Sequence, residues 1–425
     1  MTTTNKGLIA AFIAVTTLFF AWGFITQTID PLIPSVKAIF ELTYTESSLT
    51  QFAFFTAYGV ISLPAAALVA RLGYGNSIVA ALFVMVAGCL VITLATHVGQ
   101  YAMLLLALFI LGSGITTLQV AANPLAAALG PPKWSHVRLL FSQAFNSLAT
   151  VLAPFIGSHI MLRGGVFGAQ GGVVDQAARR TESLRSIDTA FLMIIGMIVL
   201  VAILVWGFRK RIEAAAPALT SGSRPSIMAA LTSRWAVFGA IAIFLYVGAE
   251  VSIGSLLANF LHQPDVLNVD IERAGKTVSF YWLGAMIGRF LGSGLLLLVP
   301  AGRLLSLFTV CAALLCFAVT QSGGEVAAYA AIAVGLFNSI MFPVIFTLTL
   351  ERSTASQAAT SGLLCMAIVG GAFLPLLYAF IADRAGLHAA YFVPMVAYIG
   401  LAVFAIAAVR ARVAATPDAA PSLAH

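Results

Sequence analysis

The sequence predicts an all-α membrane protein of twelve transmembrane helices, on three observations. The 425 residues are 61% hydrophobic and 9% charged, against about 45–50% and about 25% in ordinary soluble domains. Mean hydropathy is +1.02. The apolar runs recur at a spacing of roughly 35 residues, which is one span of about 20 plus a short loop. A soluble enzyme and a disordered chain are both excluded by this composition. A chain of 425 residues then holds about twelve spans and leaves almost nothing for a soluble domain.

Span 1 is expected over residues 8–36. The opening MTTTNKG leads into an apolar run past Trp22 to Ile29 with no small-residue cleavage site, so it reads as a span and not a signal peptide. Spans 2 to 6 are expected at 47–70, 77–96, 101–128, 138–162 and 188–208. Spans 7 to 12 follow at 235–261, 274–298, 303–320, 326–350, 358–382 and 388–409. The short polar turns RLGYGN, GPPKWSH and PAGR separate neighbours. Two connections are longer. Residues 163–187 read as a Gly-rich and then charged loop. Residues 209–234 begin RKR, contain AAAPALTSGSRPS and read as a linker, whose last segment SIMAALTSR is either a short interfacial helix or plain linker. The chain therefore divides into a first six-helix bundle (1–208), a cytoplasmic linker (209–234) and a second six-helix bundle (235–425).

The net charge of +7 reads as membrane anchoring and not as nucleic-acid binding. With the N-terminus inside, thirteen Lys and Arg residues fall on the inner side and eight on the outer. Half of those eight lie in the 163–187 loop. Both termini are then cytoplasmic. A weak internal repeat supports the two bundles. Pro124 and Pro343 are 219 residues apart, Pro154 and Pro375 are 221 apart, and Gly23 and Gly248 are 225 apart. Two parallel six-span repeats of this kind define the major facilitator fold.

Charge is scarce enough that embedded charges stand out. A carboxylate at a helix centre costs roughly 2.5–3.5 kcal/mol on insertion scales. Glu250 lies about fifteen residues into span 7, within YVGAEVSIGS. It reads as a proton-titrating or substrate-binding group, or as the partner of an intramembrane Arg. Asp30 lies in the outer part of span 1, within WGFITQTIDPLIP. Pro31 and Pro34 remove two backbone donors there and disfavour continuous helix. Irregular backbone at membrane depth lines a cavity or is buried in protein. Asp30 reads as a proton acceptor beside such a break, or as an end-of-span acid facing water. Arg289, twelve residues into span 8, pairs with Glu250 or Asp30, binds substrate, or snorkels to the inner face.

The neutral polar residues suggest the substrate. Gln27, Gln119, Asn123, Gln143, Asn146, Asn259 and Asn338 lie in or near spans 1, 4, 5, 7 and 10. Side-chain amides both donate and accept, which suits a ligand with many hydroxyls. Trp22, Tyr246, Tyr281, Trp282 and Phe342 offer faces for a sugar ring. The competing reading is interhelical hydrogen bonding, worth about 0.6 kcal/mol per bond on average. The sequence has no Walker motif, no H-E-x-x-H, no cysteine–histidine metal spacing and no TVGYG filter. No metal and no cofactor is expected. Cys89, Cys311, Cys316 and Cys365 all fall in apolar runs and read as small buried residues.

WGFITQTIDPLIP, LQVAANPLAAALGPP, RLLFSQAFNSLATVLAP, YVGAEVSIGS and GRFLGS together resemble the fucose–galactose–glucose:proton symporter family of the major facilitator superfamily. The resemblance runs from about residue 15 to 405. In the fucose-transporting members one Asp of span 1 and one Glu of span 4 are the key acids. The Asp matches Asp30, whereas Gln119, which cannot titrate, stands at the Glu. Glu250 stands where those members have Gln, and Phe342 where they have Tyr. The pattern looks like the glucose/galactose branch, and N-acetylglucosamine permeases of the family are similar. The loop segment ARLGYGN departs from the superfamily pattern, with Ala70 where an Asp is common.

The resemblance implies a bacterial inner-membrane importer, acting without cofactor as a monomer among lipids, and not an enzyme. Asp30 and Glu250 are its expected proton-coupling residues. Gln27, Gln119, Gln143, Asn146, Asn259, Asn338, Tyr246, Trp282, Phe342 and Arg289 are its expected sugar-binding residues. The expected coupling ion is a proton, with sodium the alternative. The alternative substrates are N-acetylglucosamine and fucose, and a drug or metabolite exporter of the same fold is the more distant reading.

Overall fold

The computed structural model describes residues 3–128, 135–167, 176–215, 230–296, 298–355 and 357–411. Among these residues, eleven helical segments have the length and apolarity to cross a membrane. The twelfth span, Ile271–Leu295, is 25 residues long but carries Glu272, Arg273, Lys276 and Arg289, so its mean apolarity is lower. It is span 8, in its expected place.

Spans 2 to 5 run Tyr44–Leu72, Tyr74–Val98, Tyr101–Ala128 and Ser135–Met161, close to expectation. Span 7 is Arg234–His262 and span 9 is Ala301–Gln321. The turn between spans 2 and 3 needs Gly73, whose φ is +80°, a conformation that residues with a Cβ rarely adopt. Glu213 accepts the Gly75 amide proton there at 2.8 Å, tying the start of span 3 to the end of span 6.

Several spans are broken, and prolines explain two of the breaks. Span 1 is two helices, Thr3–Gln27 and Ile29–Ile39, divided at Thr28. Pro31 and Pro34 cannot donate to the carbonyls of Gln27 and Asp30. Span 10 is also two helices, Gly324–Asn338 and Met341–Arg352. Pro343 leaves the carbonyl of Ser339 without its helical donor. Span 11 is Gln357–Met366, a short 3-10 turn at Ala367–Val369, and Gly370–Ala390. Its end turns at Gly386, where φ is +85°. The helical chain thus reaches residue 390, and span 12 is Phe392–Arg410 instead of starting at 388.

The expected 163–187 loop is shorter than predicted. Span 6 is a 40-residue helix, Gln176–Ala215, so residues 176–187 are helix. At 1.5 Å per residue it is about 60 Å long, twice a hydrocarbon core of about 30 Å. Its first three turns carry Arg179, Arg180, Glu182 and Arg185, and a helix this long has room for them beyond the hydrocarbon core. The expected linker also loses its first residues to this helix. Of the segment SIMAALTSR, residues 226–229 lie outside the described residues.

The packing is that of a membrane bundle. Large apolar side chains face outward, with Leu200, Phe83 and Phe290 each about two-thirds exposed, as lipid contact requires. Asp30, Gln27 and Asn338 are buried instead. The first six spans meet the last six through three pairings: span 5 on span 8, span 2 on span 11, and the second segment of span 1 on span 7. At the end of the bundle away from where span 1 begins, termed the far end, polar bonds cross these pairings. Asp383 of span 11 accepts from the amides of Tyr44 and Thr45 at 2.6 and 2.7 Å, and from the Thr45 hydroxyl. These amides open span 2, so the carboxylate also meets the positive end of a helix dipole. Glu272 of span 8 lies 2.9 Å from His159 Nδ1 of span 5 and 2.5 Å from Lys276 Nζ.

Candidate substrate and coupling site

A cavity of about 170 Å³ lies between the two sets of six spans. Pockets for drug-sized ligands run to about 300–1,000 Å³, so this one suits a smaller solute. Span 1 contributes Thr26 and Gln27, span 5 Asn146, Ser147 and Thr150, span 7 Val247, Glu250 and Val251, and span 8 Trp282, Ala285, Met286 and Arg289. Phe55 of span 2 completes the wall. Five of the twelve sequence-predicted site residues are therefore in the lining: Gln27, Asn146, Glu250, Trp282 and Arg289.

Asp30 sits one turn beyond Gln27, behind the cavity wall, and is 6% exposed. Its Oδ2 accepts from Gln27 Nε2 at 3.0 Å and from Trp282 Nε1 at 3.1 Å. Both donors belong to cavity-lining residues, so the wall itself holds the buried carboxylate. The Trp282 bond joins the two halves of the chain. The ring reaches Asp30 because Gly254 lets it pass: a Cβ there would stand 3.0 Å from Trp282 Cζ2 and 3.6 Å from Asp30 Oδ2.

Glu250 lies in the wall and is only partly buried. Tyr246, one turn earlier on the same helix, donates to its Oε1 at 2.8 Å. Arg289 does not snorkel. It lines the cavity, interacts electrostatically with Glu250, and its Nη1 donates to the hydroxyl of Ser147 on span 5. At the cavity, span 8 thus bridges the two halves through Trp282 and through Arg289. Asn146 holds its place through Nδ2, which donates to the carbonyl of Phe19 at 3.1 Å. Gly23 permits that approach, since a Cβ there would meet Asn146 Nδ2 at 2.5 Å.

The other predicted residues lie outside the lining. Asn338 is fully buried, with Nδ2 donating to Tyr281 Oη at 2.7 Å and Oδ1 accepting from Tyr398 Oη at 2.7 Å. Gln119 donates to the hydroxyl of Tyr58 at 2.8 Å, joining spans 4 and 2. Tyr246 is 3% exposed, and its hydroxyl serves Glu250. Phe342 lies against Tyr246, ring centroids 6.3 Å apart. Gln143 is partly buried one turn before Ser147. Asn259 is partly buried in span 7, and its Oδ1 meets no hydrogen-bond donor among the described residues. Ser147, Thr150 and Thr26 were missed because small hydroxyls within spans ordinarily bond to their own helix backbone. Ser147 and Thr150 do make such bonds, to the carbonyls of Gln143 and Ser147.

A bundle of apolar helices around a small cavity, with a carboxylate and a guanidinium in its largely apolar wall, has the anatomy of a membrane carrier for small solutes. The Major Facilitator Superfamily model matches residues 11–367, and the chain belongs to that superfamily. A glucose/galactose transporter of Brucella abortus is 40% identical over 405 residues, 95% of each chain. The L-fucose-proton symporter of Escherichia coli is 29% identical over 427 residues, 94% of this chain and 93% of that one. The crystal structure of the E. coli fucose:proton symporter FucP superposes with a TM-score of 0.70 at 26% identity, covering 95% of this chain and 99% of that one.

Proposed function

We propose that the protein imports a hexose of the glucose/galactose type together with a proton, by alternating access. The observation that carries this reading is the placement of Asp30. A buried carboxylate held by two residues of the sugar-sized cavity, one from each half of the chain, ties its protonation to the fit between the halves. Glu250, in the wall of the same cavity beside Arg289, is the second group to take up the coupled proton. The relatives support the substrate class and the ion, since one is named a glucose/galactose transporter and another an L-fucose-proton symporter.

Gln27, Asn146, Ser147, Thr150 and Arg289 offer donors and acceptors to sugar hydroxyls, and Trp282 and Phe55 offer ring faces. An ionised carboxylate sealed in a dry site costs free energy, and taking up a proton removes that cost. The loaded carrier then rocks more readily than one holding an unpaired charge. One proton moving through 100 mV supplies about 2.3 kcal/mol, and one pH unit about 1.4 kcal/mol. Together these sustain roughly several hundred-fold accumulation at a 1:1 ratio.

The protein works as a multi-pass monomer in the bacterial inner membrane, surrounded by lipid, with both termini cytoplasmic as the Lys and Arg bias directs. Its six-helix bundles are residues 1–208 and 235–425, joined through 209–234. The test is uptake of labelled galactose and glucose by proteoliposomes under an imposed pH gradient or an imposed sodium gradient. Accumulation driven by the pH gradient supports the reading. Accumulation that follows sodium and ignores pH refutes proton coupling, and no flux of either sugar refutes the substrate class.

A further inference from the structure

Tyr246 has one hydroxyl proton and two acceptors within reach. Its oxygen lies 2.8 Å from Glu250 Oε1 and 3.2 Å from the backbone carbonyl oxygen of Asn338. A tyrosine hydroxyl donates once and accepts through its lone pairs, so it serves one of these two acceptors at a time. The second acceptor has a particular place in the fold. Asn338 is the last residue of Gly324–Asn338, the first segment of span 10, immediately before the break at Ser339 and Ile340. Helix ends leave carbonyls without intrahelical partners, and inside a membrane such a group must find a donor within the protein.

From this geometry we propose that Tyr246 is a positioning residue that transmits the protonation state of Glu250 to the break in span 10. The inference rests on Glu250 carrying the coupled proton. With Glu250 ionised, its carboxylate is the stronger acceptor and takes the Tyr246 proton, which leaves the Asn338 carbonyl unserved. With Glu250 protonated, the carboxyl O–H donates to the Tyr246 oxygen, and the Tyr246 proton turns to the Asn338 carbonyl. No proton leaves the tyrosine in either state; only the direction of its O–H changes. The hydrogen bond that braces the break in span 10 therefore forms when Glu250 is loaded and is lost when it is empty.

The surroundings hold the switch in register. Tyr281 of span 8 donates to the Glu250 backbone carbonyl at 3.3 Å and accepts from Asn338 Nδ2. Tyr398 of span 12 donates to Asn338 Oδ1. The charged and titratable groups acting on Glu250 from the elements packed around it are Arg289 and Tyr281 of span 8, Asp30 of span 1 and Tyr398 of span 12. Tyr246 differs from them in touching both the carboxyl group and the broken helix.

The test compares Tyr246→Phe, Glu250→Gln and the double variant in proteoliposomes, measuring sugar counterflow between pH 5.5 and 9. Tyr246→Phe keeps the ring packed against Phe342 and removes only the hydroxyl. The expected result is that Glu250→Gln and Tyr246→Phe each flatten the pH profile of exchange at least several-fold, and that the double variant is no flatter than Glu250→Gln alone. A Tyr246→Phe profile that keeps the wild-type shape and is only scaled down overturns the relay while leaving Glu250 as the proton carrier. A Glu250→Gln profile of wild-type shape overturns both readings. Infrared difference spectra of the wild-type protein after a pH step, with ring-deuterated tyrosine, give an independent check where Tyr246→Phe yields no folded protein. A tyrosine C–O band that shifts together with a carboxyl band, and is absent in Glu250→Gln, supports the relay. A carboxyl band with no tyrosine response overturns it.

Discussion

Asn338→Ala separates the two roles open to that residue. Its side chain makes two hydrogen bonds, from Nδ2 to Tyr281 and from Tyr398 to Oδ1, and it has no exposed surface. Bonds between transmembrane helices average about 0.6 kcal/mol, so the pair amounts to roughly 1 kcal/mol. Truncation also leaves the Tyr398 hydroxyl proton buried without its acceptor, which costs about 1–3 kcal/mol. The sum is about 2–4 kcal/mol, a large part of a total stability of about 5–15 kcal/mol. Thermal unfolding of the purified protein in detergent measures it. Adding Tyr398→Phe removes the stranded hydroxyl, so the double variant is expected to recover about 1–3 kcal/mol relative to the sum of the single losses. A variant whose unfolding is unchanged while its sugar affinity falls tenfold or more would refute this reasoning and make Asn338 a ligand for the sugar.

Three further outcomes follow from the geometry. Trp282→Phe removes one of the two donors to Asp30; a hydrogen bond to a charged group is worth about 1.5–3 kcal/mol, so pH-driven uptake is expected to fall about tenfold or more, measured as initial rate against wild type at equal protein. Asp383→Ala frees the amides that open span 2, and a cap of this kind is worth about 0.5–2 kcal/mol; the population closed at the far end is expected to drop several-fold, seen as a shift in spin-label distances between spans 2 and 11. Glu272→Gln removes the charged acceptor that meets His159 of span 5 and Lys276; a partly exposed pair of this kind is worth up to about 1 kcal/mol, so spin labels on spans 5 and 8 should report a separated population raised at most several-fold.

Much of the fold was legible because the membrane imposes it. Apolar length gave the spans, and Pro31 with Pro34 announced the break beside Asp30. Hydropathy marks the membrane, however, and not the helix. Residues 176–187 read as loop because of their charge, yet they continue span 6 as helix. Pro343 was visible as half of a repeat, although its position three residues after Ile340 was equally a sign of a broken helix. In the candidate site, scarcity of charge singled out Asp30, Glu250 and Arg289. The amides were harder to sort. A span apolar on every side carries no stripe to show which face points inward. Gln27 and Asn146 therefore looked the same in sequence as Gln119 and Asn338, which the structure places in contacts between helices.

The central claim is that a sugar and a proton cross together. It is tested most directly by adding galactose to lightly buffered proteoliposomes with no imposed gradient while following the external pH. Symport predicts an immediate alkalinisation outside, saturating with sugar and absent when Asp30→Asn and Glu250→Gln are combined. Entry of labelled galactose at the wild-type rate with no change in external pH contradicts it.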